Sequence, residues 1–185
     1  MTESTEINDR SFPKPVADFI LQWGDMGSQW GVNRSVAQIH AYLYLADKPL
    51  TADAISDGLS MARSNVSNSL KELMGWKLIR RVPIAGDRRD HFEAETDVWT
   101  MVQRIAEGRK QREIDPAAVT LATTLAAARD DPAVSQIALE RLTALFDFVT
   151  MVNRFYDQML QLPRSTLMTM LKMGNGLARI IPKRG

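Results

Sequence analysis

The hydrophobic period of the chain changes once between Leu59 and Glu95, and that change restricts the architecture more than any other feature. Ala62, Val66, Leu70 and Leu73 recur at steps of four, four and three, the spacing of a helix with one apolar face over residues 61–74. Its other face carries Arg63, Ser64, Asn65, Ser67, Asn68 and Lys71. Serine and asparagine compete with their own backbone for hydrogen bonds and weaken a helix, so a face built from them carries a cost. After Gly75 the pattern becomes that of a strand over 78–84, a charged turn over 85–90 and a returning strand over 91–95. A polar-faced helix followed by a basic-tipped hairpin is therefore expected.

The segments before it read as helices. Val16, Phe19, Ile20, Trp23, Gly27 and Trp30 share one face over 13–30, with Pro13 and Pro15 at the start and Gly31 and Asn33 as stops. Ser35 with Gln38 fits a capping box for a second helix. Thr51 is the expected cap of a short third helix, with Asp53 in its first turn and Gly58 near its end. Ser60 is the expected cap of the fourth. From Thr96 onward the chain reads as helical, with breaks at Asp115-Pro116 and Asp130-Asp131-Pro132. Val134, Ala138, Leu142, Leu145, Val149, Val152, Tyr156 and Met159 approach a coiled-coil seam. Phe146, Phe148 and Phe155 add apolar surface beside it, which a second subunit would cover. A last helix follows Pro163, through Leu167, Met170, Leu171, Gly174, Leu177 and Ile181.

Composition removes several chemistries. The chain has no cysteine, which excludes disulfides, thiol redox sensing, thiolate metal ligation and a cysteine nucleophile. The two histidines, His40 and His91, fall in segments of different type and form no metal-binding spacing, so no metal or cofactor is expected. His40 reads as a polar residue on a partly exposed helix. No nucleophile–base set stands out, and Gly174-Asn175-Gly176 lacks the rest of a phosphate loop, so an enzyme is not expected. Asp130-Asp131 reads as an exposed turn. No apolar run approaches the length of a membrane span, and residues 1–12 read as a flexible tail without a signal-peptide core; cytoplasmic location is the default expectation. Net charge is only +1, but residues 60–90 hold seven basic side chains against three acidic ones. Such concentration suits a phosphate-binding surface; a plain solvated face is the alternative.

Taken in order, these segments imply a mainly α protein with a small β-hairpin wing. Residues 13–96 would form an N-terminal helix and a winged helix-turn-helix, and residues 97–185 a helical dimerisation and effector region. In a helix-turn-helix the second helix enters the major groove of double-stranded DNA. Arg63, Asn65 and Asn68 are the base-reading candidates, because arginine pairs with guanine and asparagine with adenine. Ser64 and Ser67 suit bases or phosphate, and Lys71 suits phosphate. Arg88 and Arg89 would reach the flanking minor groove. Arg80 and Arg81 read as strand-surface charges, with phosphate contact the alternative. Trp23, Trp30, Tyr42 and Trp99, with Phe146 and Phe155 further on, are candidates for an aromatic cage around a cationic effector, against the commoner use of such residues in a core or a dimer seam. A winged helix that docks another protein, without reading DNA, is the alternative function.

The strings Leu59-Ser60-Met61-Ala62-Arg63-Ser64-Asn65-Val66-Ser67, Leu70-Lys71-Glu72-Leu73, Trp76-Lys77-Leu78-Ile79-Arg80 and Gly86-Asp87-Arg88-Arg89, with Phe92-Glu93-Ala94-Glu95-Thr96-Asp97-Val98-Trp99 and Arg109-Lys110-Gln111-Arg112-Glu113-Ile114, resemble the GbsR branch of the MarR-type regulators over residues 12–116. The resemblance implies a winged-helix homodimer, usually a repressor, with dimer contacts from the terminal helices. It also implies small quaternary ammonium effectors, and a wing in which Asp87 orients an arginine.

Overall fold

In the computed structural model, residues 12–177 are described. The N-terminal tail up to Ser11 and the expected helical position Ile181 lie outside them. Helix α1 spans Lys14–Gln29, α2 Arg34–Tyr44, α3 Ala52–Gly58 and α4 Arg63–Gly75. Strands β1, β2 and β3 cover Leu50–Thr51, Ile79–Ile84 and Asp87–Ala94. Helix α5 runs Val98–Arg109 and continues through a π-helical turn, Lys110–Ile114, into α6, Asp115–Asp130. Helices α7, Gln136–Gln161, and α8, Arg164–Leu177, complete the chain.

The described residues fall into two compact units that divide between Arg104 and Ile105, inside α5. In the first, the apolar faces read from the sequence converge. Ile20 of α1, Ile39 of α2, Ile55 of α3 and Val66, Leu70 and Leu73 of α4 are all buried, with Leu78, Ile79 and Phe92 closing the core from the hairpin side. Helix α1 approaches α2 closely because Gly24 and Gly27 carry no side chain: a Cβ there would meet Gln38 Cγ at 2.4 Å or Ala37 Cβ at 2.5 Å. Gln38 is thus a buried packing residue and not the partner in a capping box. Asn33, expected only as a stop signal, is the cap of α2, its side chain accepting from the Ser35 amide at 2.8 Å. Thr51 caps α3 as expected, accepting from the Ala54 amide at 3.2 Å.

The sheet is three-stranded and antiparallel in the order β1-β3-β2. The two-residue strand β1 was not expected; it pairs Leu50 with Phe92 and Thr51 with His91, and is too short to show a period. The hairpin turn is also tighter than expected. Strands β2 and β3 are joined through Ala85 and Gly86, where φ is +84°, so Asp87–Asp90 lie in strand β3. The pairing slips between Val82 and Ile84, around Pro83, which has no amide proton for the ladder.

In the second unit the chain does not break at Asp115-Pro116. Pro116 lies in the first turn of α6, and the five-residue π turn directly before it keeps the helix continuous. Lys110 joins α6 to α7 there, with its ammonium 2.6 Å from Asp115 and 3.1 Å from Asp157, contacts that raise its pKa. The seam expected along α7 is split. Ala138, Leu142, Val149, Val152, Tyr156 and Met159 are half-buried, whereas Leu145 is exposed together with Ile137, Phe148, Met151 and Phe155.

Candidate nucleic-acid interface

Helix α4 turns Val66, Leu70 and Leu73 into the core, and the period of the helix then obliges Arg63, Ser64, Asn65, Ser67, Asn68 and Lys71 to face outward, where all six are exposed. The sequence thus located this face correctly. Its start differs: the helix begins at Arg63, and the residue preceding it, Ala62, offers no side-chain cap. Ser60 instead closes α3, in the left-handed conformation at φ +50°. Two reverse bonds frame it, from the Ser60 amide to Asp57 O at 3.4 Å and from the Met61 amide to Ser56 O at 3.0 Å. The Ser56 hydroxyl, buried, donates to Met61 O at 2.6 Å and ties the turn shut. Lys77 does for α4 what Ser60 does for α3, at φ +58°. Gly58, read as a turn residue, is needed for a different reason: a Cβ there would stand 2.0 Å from the Tyr42 hydroxyl.

Two of the outward side chains are held by neighbouring helices. Arg63 Nε lies 3.3 Å from Asp53 Oδ1 of α3, and Asn65 Nδ2 donates to Ser35 Oγ of α2 at 2.9 Å. These partners were not named from the sequence. They are long-range in the chain, and only the packing of α2 and α3 around α4 brings them together. Ser64, Ser67, Asn68 and Lys71 are exposed without such a brace among the described contacts.

The wing holds its arginines differently. Asp87 Oδ1 accepts from the Arg89 amide and from Arg89 Nε, each at 3.0 Å, and Oδ2 accepts from Nη2 at 2.5 Å. Residues two apart on a strand share a face, so this clasp is local to β3. Hydrogen bonds from Arg89 keep the Asp87 carboxyl well below the usual carboxylate range, and Asp87 in turn raises the Arg89 pKa. Buried His91 supports the clasp: Nε2 is 3.5 Å from Asp87 Oδ2, and Nδ1 is 3.0 Å from Arg89 O. Arg88 lies on the opposite face, exposed, and takes part in no ion pair among the described residues.

The four expected effector aromatics come from α1 and its end, from α2 and from α5. Trp23 packs on Phe19 with ring centres 5.5 Å apart, and Tyr42 is buried edge-on to Phe12 at 5.1 Å. Trp30 is 62% exposed at the end of α1, and Trp99 is half-buried on α5. A cavity of about 660 Å³ opens at the base of the hairpin, lined by Lys77, Arg80, Glu93, Glu95 and Arg104 among others, and none of the four aromatics borders it. Among the described residues, no cluster of three or more His, Asp or Glu side chains could hold a metal ion, and no helix is long and apolar enough to cross a membrane.

Comparison with known proteins agrees with the architecture. Residues 30–90 match the model of the MarR family. A crystal structure described as that of a transcriptional regulator superposes with a TM-score of 0.62 at 17% identity, over 79% of this chain and 95% of the other. MepR of Staphylococcus aureus, a transcription regulator of the multidrug efflux pump MepA, aligns at 18% identity over 91% of this chain and 95% of its own, with a TM-score of 0.37. Its DNA complex aligns at 23% identity, over 62% and 95% of the two chains, with a TM-score of 0.36. Scores that low add nothing to the fold. No curated protein matches the sequence.

Proposed function

We propose, starting from a MarR-type winged helix at residues 30–90, that this protein is a transcriptional regulator that binds double-stranded DNA with α4 in the major groove and the β2–β3 wing over the adjacent minor groove. The observation that carries this reading is the outward face of α4. Its two most informative side chains for base recognition are Arg63, exposed and loosely paired with Asp53, and Asn65, whose amide is held by Ser35, on the same helix face. Preorganised donors lose less conformational entropy when they meet a base edge. Arg88, unpaired and exposed, and Arg89, fixed by Asp87, supply the wing's cations.

The protein acts, in this reading, as a homodimeric repressor on a two-fold operator. The exposed apolar residues Ile137, Leu145, Phe148, Met151 and Phe155 of α7 favour a second copy. The Gly86-Asp87-Arg88-Arg89 string and the residues flanking it favour the GbsR branch, and with it a small quaternary ammonium effector. Localisation follows from function: such a regulator works in the cytoplasm, where its DNA is.

Selection of bound fragments from random duplex DNA tests the central claim. A two-fold motif should emerge with half-sites about one helical turn apart. Arg63→Ala and Asn65→Ala should each cost roughly 1–3 kcal/mol on that motif and relax preference at one position of each half-site. Recovery of no motif, with binding only to other proteins, would leave the winged helix as a protein-docking module. Thermal-shift titration with choline and glycine betaine tests the effector; a flat response to both rules out that class.

A further inference from the structure

Three cations from three elements line one cleft on the face just described: Lys71 of α4, Arg81 of β2 and Arg89 of β3. The cleft encloses about 320 Å³ over an apolar floor of Leu70, Met74 and Phe92. Strand alternation decides which of two neighbouring arginines enters it, because adjacent side chains leave opposite faces of a sheet. Arg80 turns away, hydrogen-bonds Glu93 at 2.6 Å and borders the other cavity. Arg81 turns in, with its guanidinium carbon 6.0 Å from the centre of the Phe92 ring and Nη1 3.4 Å from Asp90 Oδ2. Arg81 and Asp90 are 58% and 61% exposed, so water screens their pair and a more strongly held anion can displace it. A guanidinium offers an anion a fork of donors that matches phosphate geometry.

We propose that this cleft receives one phosphate of the DNA backbone, gripped by Arg81 and Lys71 with Arg89 at its wing end. The proposal rests on the DNA-binding reading and adds to it a contact between the two grooves. With α4 in the major groove and the wing over the minor groove, the sugar-phosphate strand that divides them must pass between helix and hairpin, where this cleft lies. The contact is blind to sequence, since every nucleotide carries the same phosphate. Asp53 and Asp90 also line the cleft and Asp87 clasps Arg89, so three carboxylates oppose its three cations. A freely diffusing small anion gains little there; a phosphate delivered by a docked duplex gains the grip without a separate cost of capture.

Fluorescence anisotropy tests this with the full chain, on a selected duplex and on a scrambled one of equal length, across a series of salt concentrations. Arg81→Ala should weaken binding to both duplexes by a similar factor, roughly fivefold to tenfold, and flatten the dependence of log affinity on log salt by about one unit. Arg80→Ala should superimpose on the parent. Asp90→Asn releases Arg81 and should tighten binding to both duplexes, a gain that misfolding cannot mimic. Arg81→Ala and Asp90→Asn both behaving as the parent, while Arg63→Ala still loses affinity, would overturn the phosphate site and leave the DNA reading intact. No binding of either duplex by the parent would overturn both.

Discussion

His40 shows what burial does to a single side chain. The sequence placed it on a partly exposed helix, yet it is 7% exposed within α2, and its Nε2 has no hydrogen-bond partner among the described residues. Desolvation lowers its pKa from 6.5 to about 4. The unfolded chain therefore takes up a proton near pH 6.5 that the folded chain refuses until near pH 4. Stability is complete above that window and declines as pH falls through it. About 2 kcal/mol should be lost between pH 7.5 and pH 5, read by urea unfolding at the two values. His40→Leu should remove most of that loss; an unchanged pH dependence in the variant would place its origin elsewhere. The same residue marks a limit of sequence reading. A single apolar stripe would bury about half of a helix, but eight successive residues of α2, Val36 to Leu43, are buried, because helices, strands and the close approach at Gly24 and Gly27 crowd it from several sides. Arg63, Ser64, Asn65, Ser67, Asn68 and Lys71 were legible as an outward face because a helix with one buried stripe leaves them no other direction. That Asp53 and Ser35 would hold Arg63 and Asn65 was not, since nothing local in the sequence brings those partners near.

At the scale of elements, the helix α4 and the hairpin were readable because the period of apolar residues changes from that of a helix to that of a strand at Gly75. What connects them was not. The chain leaves both α3 and α4 through left-handed residues that are not glycine, Ser60 and Lys77, while Gly58 and Gly75 stay inside their helices. Glycine was the expected marker of such positions, and its displacement by two residues misplaced the cap of α4. The geometry also yields a prediction. A serine at φ +50° carries a steric strain that glycine would not. Ser60→Gly should therefore stabilise the protein by about 0.5–1 kcal/mol in chemical denaturation, the gain at Ser60 outweighing glycine's larger entropy when unfolded. A loss of stability instead would mean that the serine hydroxyl contributes more than the strain costs. The π turn at Lys110–Ile114 escaped detection because the Asp115-Pro116 pair after it reads as a helix break, although the chain stays helical through both.

For the whole molecule, the spacing of apolar residues after Thr96 foretold a helical C-terminal region, and the described residues contain it as α5, α6, α7 and α8. Which face of α7 would remain uncovered was only partly foreseen. Phe148 and Phe155 were expected outside the seam and are each 58% exposed, but Leu145, assigned to the seam, is exposed with them. If a second copy covers this face, Phe148→Glu with Phe155→Glu should convert the protein to a monomer at micromolar concentration, read by sedimentation velocity. The helical content should be retained in circular dichroism. A double variant that sediments like the parent would assign self-association to another surface.

Of the seven basic residues between Ser60 and Asp90, four are already engaged by the protein's own carboxylates: Arg63 by Asp53, Arg80 by Glu93, Arg81 by Asp90 and Arg89 by Asp87. Internal acids compete with any nucleic acid for those cations, and the molecule as a whole carries a charge of only +1. Under the DNA-binding proposal, attraction to arbitrary genomic sequence is weakened accordingly, and visits to wrong addresses would be brief. Time spent at the right one would then depend on base edges able to make good what the carboxylates give up.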